Sequence, residues 1–242
     1  MNEIITIASG TWKNVLRMKV VYFLIFCALV LVASAVNYDV LSLGLHKELM
    51  IDVALVLNSI AALLVVISLT FEIPKELREG VASTLLAKPL GRFQYLLGKM
   101  IGCMVTGAVI CALIAVGSFI VFNIAFGQRI DLAMFQSHLL VILALIPMSA
   151  LGVLFAVILP EVIAPIITVV VWFAFSTKCL ANIWGVYGGL LPDLDLFNFK
   201  ANAVYQVNIP WMYVLLVAVW GICYAAFALS LASIVFERKD IK

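Results

Sequence analysis

Residues 51–71 read IDVALVLNSIAALLVVISLTF, and residues 72–80, which follow directly, read EIPKELREG. A helix needs about 20 mostly apolar residues to cross the hydrocarbon layer of a bilayer. Ile51–Phe71 supplies them with a single charge, Asp52, at its start, and the abrupt change at Glu72 marks where such a helix leaves the apolar layer. Five more stretches have the same character: Val20–Val36, Leu97–Phe122, Leu139–Leu159, Val162–Leu180 and Trp211–Phe236. The composition agrees. Of 242 residues, 66% are hydrophobic and 12% charged, and the mean hydropathy is +1.21, against about 45–50% apolar and 25% charged in an ordinary soluble domain. A water-soluble domain is excluded. So is a disordered or fibrous chain, because 14 Gly and 7 Pro follow no repeat. The expected fold is a single all-α integral membrane domain over residues 1–242 with six transmembrane helices.

An even number of spans puts both tails on one side. Lys13, Arg17 and Lys19, then Lys75, Arg78, Lys88, Arg92 and Lys99, then Arg238, Lys239 and Lys242 share that side, whereas Lys47, Arg129, Lys178 and Lys200 fall on the other. Eleven cations against four place both termini in the cytoplasm. A net charge of +2 is too small to imply a nucleic-acid partner.

Before the first span, residues 1–19 place Ile4, Ile5, Ala8, Trp12, Val15 and Leu16 on one helical face, with Lys13, Asn14 and Arg17 opposite. This pattern predicts an interfacial amphipathic helix. Ala33-Ser34-Ala35 fits a signal-peptide cleavage pattern, but the apolar run exceeds the usual signal core, so it reads as a span. Residues 37–50 and 123–138 read as short external loops, and Pro160-Glu161 as a tight cytoplasmic hairpin. The external loop 181–210 is long, with Trp184, Tyr187, Phe197, Phe199 and Tyr205 expected at headgroup level on short re-entrant helices. Cys27, Cys103, Cys111, Cys179 and Cys223 lie in or at the ends of apolar runs without metal or redox spacing, and read as packing residues.

The cytoplasmic loop 72–99 is the most informative connection. Pro74 suits the first turn of a short helix, Lys75–Glu79 favour one, and Gly80 can stop it. A second short helix is expected next, capped by Ser83 or Thr84, presenting Leu85 and Leu86, and ended by Pro89. Adjacent leucines between charged flanks suit docking into a partner's groove. Arg92 and Lys99 bracket Phe93, Tyr95, Leu96 and Leu97, as where a helix re-enters the membrane.

The elements E-x-R-E-G, T-L-L-x-K-P-L-x-R and F-x-Y-L-L-G-K-x-x-G of this loop, with LPDLDLFN before the last span and FERKD after it, resemble the permease subunits of type-2 ATP-binding cassette (ABC) exporters. That family includes the permease for nitrous-oxide-reductase maturation. The resemblance implies a cytoplasmic coupling helix between spans two and three, a second permease copy or paralogue in a homodimer or heterodimer, two separate ABC ATPase subunits, and room for accessory external proteins. It implies a dimer contact through the first and fifth spans. Coupling to the ATPases would fall on Glu76, Arg78, Glu79 and Gly80, on Leu85, Leu86, Lys88 and Pro89, and on Arg92. The chain would transmit ATP hydrolysis to substrate export or movement without being an enzyme, and would carry no cofactor; ATP and magnesium would sit in the partners. The nearest approach to a P-loop, Gly91 to Gly98-Lys99-Met100, has six residues between its glycines instead of four and Met in place of the magnesium-binding hydroxyl.

The rival reading is an ATP-independent secondary transporter or channel, which would expose an intramembrane charge to its path. Asp52 is the only clear candidate, at the outer end of its span. Asn58, Ser59, Ser68, Thr106, Ser118, Ser149 and Thr168 are expected to bond neighbouring helices or their own backbone. His46 and His138 read as solvated loop residues, without ligand-spaced neighbours. The loops 72–99 and 181–210 are similar in length but share no motif, which argues against inverted repeats. Gly98, Gly102 and Thr106 make a small-residue row read as packing within the bundle.

Overall fold

The computed structural model describes residues 2–17, 19–36, 45–80, 91–176 and 193–238, and every regular element among them is helical. In chain order these are α1 (Asn2–Arg17), α2 (Lys19–Ala35), α3 (His46–Arg78), α4 (Arg92–Phe126), α5 (Leu132–Ile158), α6 (Ile163–Ser176), a 3-10 turn (Leu194–Phe197), α7 (Lys200–Val204) and α8 (Trp211–Glu237). Helices α3, α4, α5 and α8 are long and apolar enough to cross a membrane. The other two expected spans appear as shorter apolar helices, Val21–Ala35 and Ile163–Ala174. Their ends stand beside residues 37–44 and 177–192, outside the described residues. Leu85, Leu86, Lys88 and Pro89, with the short helix expected around them, and Cys179 also lie outside the described residues.

Helix α5 is the centre of the bundle. It packs against α3, α4, α6 and α8 and is buried along most of its length, from Ala133 to Val157. Pro147 stands inside it and meets α8 at Gly221, where an added Cβ would lie 3.4 Å from the proline ring. The surface is apolar in turn. Phe23 and Phe26 on α2, Leu113, Val116 and Ile120 on α4, Val170 and Phe173 on α6, and Leu215, Leu216, Ile222 and Phe227 on α8 are all exposed. So continuous an exposed apolar surface fits a helix bundle solvated by lipid.

Several helices outrun their apolar stretches. At 33 and 35 residues, α3 and α4 are each about 50 Å long, against a hydrocarbon layer of about 30 Å. Pro74 therefore sits inside α3, not in the first turn of a separate helix, and the stop at Gly80 is real: its φ is +72°, the left-handed conformation that favours glycine after a helix. Helix α3 ends at Arg78 and α4 begins at Arg92, so residues 79–91 connect them. On the opposite face α3 starts at His46, α4 continues to Phe126 and ends on Gly127 at φ +61°, and α5 begins at Leu132, so His138 is a helix residue.

Helix α1 forms as expected but with its buried face rotated. Ile7, Thr11 and Val15 are buried, whereas Ile5 is exposed. The reason is its partner: Ile7 lies over Gly98 and Thr11 over Gly102 of α4, where an added Cβ would come within 2.9 and 2.7 Å of their side chains. The small-residue row is thus packing within the chain, and what it receives is the N-terminal helix.

The segment 193–210 also departs from expectation. Leu194, Phe197, Ala203 and Ile209 are buried. Gln136 of α5 holds both backbone groups of Ile209, donating from Nε2 to its carbonyl (2.8 Å) and accepting its N–H at Oε1 (2.9 Å). Tyr213 donates to the Leu196 carbonyl (3.0 Å). Short helical turns are present, but Phe197 is in the core beside Trp220, not at headgroup level.

Candidate functional site

The charged residues gather at the end of the bundle that carries both termini. Glu72 and Glu76 lie one turn apart on α3 and point to the same face, as do Tyr95 and Lys99 on α4. Lys99, only 4% exposed, donates to Glu72 (2.8 Å) and to Glu76. Tyr95 donates to Glu76 (2.6 Å), and Asn14 of α1 donates to Glu72 (3.0 Å). One cation, two carboxylates, a phenol and an amide thus tie α1, α3 and α4 together. A buried ammonium requires the two carboxylates as acceptors, and the phenol and the amide donate to those carboxylates in turn, because ions withdrawn from water cost several kcal/mol each unless paired.

Two further contacts extend the lock. Arg92, in the first turn of α4, donates to the carbonyls of Phe236 (2.7 Å) and Glu237 (2.9 Å), in the last turn of α8, where carbonyls lack the usual i+4 partner. Its guanidinium also lies over the Phe236 ring, against which Tyr95 stacks at 6.0 Å. Arg78, near the end of α3, pairs with Glu161 in the turn between α5 and α6.

The residues expected to contact an ATPase therefore divide. Glu76 turns inward and is committed to Lys99 and Tyr95. Arg92 is committed to the end of α8. Arg78 and Glu79 are exposed at the tip of α3, Glu79 at 4.0 Å from Lys75, and Gly80 makes the turn. Sequence reasoning put Glu72, Tyr95, Lys99 and Glu161 on the side of the termini but did not identify them as partners in this cluster. The i,i+4 spacings of Glu72 with Glu76 and of Tyr95 with Lys99 were the available signal.

A second polar cluster sits inside the bundle. His138 is 2% exposed, not solvated. Asn58 of α3 donates from Nδ2 to its Nδ1 (2.8 Å), its Nε2 lies 3.3 Å from Ser118 Oγ on α4, and Phe119 meets the ring edge-on at 5.2 Å. Ser118 in turn donates to the Ala115 carbonyl (2.8 Å). The Oδ1 of Asn58 has no partner among the described residues. Ser59, Ser68, Thr106, Ser149 and Thr168 bond carbonyls of their own helices, as expected.

Among the described residues no group of three or more His, Cys, Asp or Glu side chains could hold a metal ion. No family model and no curated protein sequence matches this chain.

Proposed function

We propose that this chain is the membrane-spanning permease subunit of an ABC transporter, with both termini in the bacterial cytoplasm and six spans, in which α2 and α6 are the first and fifth. It pairs with a second permease copy or paralogue and rests on two separate ATPase subunits, which bind ATP and magnesium. The connection 79–91 is the contact with the ATPase.

The observation that carries this reading is the lock at the termini end. Force applied at a loop moves a membrane domain only if the helices flanking that loop are joined. Here α3 and α4 are joined at their base through Glu72, Glu76, Tyr95 and Lys99. Arg92 carries the connection to α8 and Arg78 carries it to the α5–α6 turn. A push on 79–91 would then shift the helices as one body, the rigid helix movement by which such devices work. Glu76, Arg78 and Arg92 serve in this reading as positioning residues, while Glu79 stays exposed at the surface. The exposed apolar faces of α2 and α6, which flank α3, supply the dimer contact.

Affinity purification of the tagged chain from its native membranes should bring down a P-loop ATPase identifiable by mass spectrometry. Repeated recovery of the chain without one would contradict the reading. The alternative, a secondary transporter or channel, is favoured by one observation, the buried His138, since intramembrane ionisable groups often mark ion paths. Substrate flux driven by a proton gradient, abolished in His138→Gln and independent of ATP, would establish it instead.

A further inference from the structure

In the half of the bundle away from the termini, between α3, α5 and α6, lies a cavity of about 260 Å3. Its walls are mostly apolar, with Leu55 and Leu63 of α3, Val141 and Ala144 of α5, and Trp172 of α6, and Ser59, Ser137, Ser176 and Asn198 also line it. Leu55 and Leu63 are eight residues apart, so the slot runs about 12 Å along the helix axis. Ile60 and Phe173, which also line it, are exposed on the outside of the bundle, so the slot reaches the lipid-facing surface between α3 and α6. Lys200, at the start of α7, also lines it.

Lys200 is half-buried and takes no hydrogen bond or salt bridge among the described residues. Burial lowers the pKa of its ammonium, and the nearby Asp52 opposes that effect. The site therefore makes two demands, further compensation for a partly buried cation that Asp52 offsets only in part and filling of an apolar slot. A cation partly withdrawn from water gains from an anionic partner, and an apolar slot about 12 Å long gains from hydrocarbon. A neutral apolar solute meets only the second, and a small hydrophilic anion meets only the first.

We propose that this cavity binds an amphiphile whose anionic head, a carboxylate or phosphate, meets Lys200 and whose hydrocarbon tail lies along α3 from Leu55 to Leu63. The site is a property of this chain alone and does not rest on the assignment of an ATPase partner. A phospholipid of the bilayer and a free fatty acid share this chemistry.

The test uses the full-length chain in phosphatidylcholine nanodiscs, a photoactivatable palmitic acid, and its methyl ester. The acid should crosslink to peptides containing residues 55–63 and 141–144 and be displaced by unlabelled palmitate. The ester should bind about tenfold more weakly, the loss of one charge-assisted hydrogen bond. Lys200→Glu should weaken the acid by about tenfold or more, and Lys200→Arg should retain it. Displacement by phosphatidylglycerol in the disc assigns the site to a bilayer lipid, and its failure to displace assigns it to a free acid; both support the proposal. Equal binding of acid and ester, adducts confined to other helices, or unchanged binding in a well-folded Lys200→Glu chain would overturn it. The ester comparison on the native chain decides the matter without any variant.

Discussion

Lys99 is the residue on which the termini end of the bundle turns. Its ammonium is enclosed, with Glu72 and Glu76 on either side. Lys99→Met removes the cation and leaves two carboxylates facing each other, which should destabilise the chain by about 3–5 kcal/mol. Adding Glu72→Gln and Glu76→Gln to the same chain should recover much of that loss, because the uncompensated charge is gone. Thermal unfolding in detergent measures both; a single variant as stable as the native chain would mean that the cluster is not a lock. Lys99 illustrates a limit of reading charges from sequence. It fits a headgroup cation by position, and only the neighbouring helix reveals that α3 has taken it inward. His138 is a similar case, since the apolar run that defines a span from Leu139 gives no sign that α5 starts at Leu132 and carries the imidazole inside.

At the scale of elements, the position of α1 on α4 depends on two missing side chains. Even one methyl at Gly102 would fall 2.7 Å from Thr11 and 2.9 Å from the Ala8 carbonyl, where backbone cannot yield cheaply. Gly102→Ala should cost about 1–3 kcal/mol, taken chiefly as detachment of α1. Hydrogen exchange across residues 2–17 should accelerate, with α5 unaffected; unchanged protection would show that α1 is held elsewhere. The 193–210 segment depends in the same way on Gln136. In Gln136→Leu the buried N–H and C=O of Ile209 both lose their partner, and each orphaned group costs about 1–3 kcal/mol. Protease sensitivity at 193–210 should rise, whereas resistance equal to that of the native chain would contradict the tether. The apolar runs behind α3, α4, α5 and α8 were legible because twenty apolar residues have no other stable use. The rotation of α1 was not, because its apolar residues, Ile4, Ile5, Ile7, Ala8 and Val15 among them, spread over an arc wider than the face that is buried, and the Gly98–Gly102 groove selects within it. Nor was the burial of Phe197, since aromatic residues in a charge-poor loop suit the membrane interface and the core alike.

For the whole molecule, orientation comes first. In a chain freed of its five native thiols, a Leu85→Cys probe should be labelled only from the cytoplasm, and Leu45→Cys and Asp195→Cys only from outside; external labelling of the Leu85→Cys chain would reverse the topology. The central claim is that the 79–91 connection carries force from an ATPase into the bundle, and the two kinds of residue expected there differ in what they can contribute. A charge such as Lys88 would give about 0–1 kcal/mol if paired at a wet surface, whereas a leucine buried in a partner's pocket would give about 1.5–3 kcal/mol. The most direct measurement is therefore the amount of ATPase recovered with tagged Leu85→Asp/Leu86→Asp chain relative to native and Lys88→Glu chains purified from the same membranes. The account predicts that the double variant inserts and dimerises normally yet loses most of the ATPase, while Lys88→Glu keeps most of it. Full ATPase recovery with the double aspartate chain would contradict it and leave the loop as a topology signal alone.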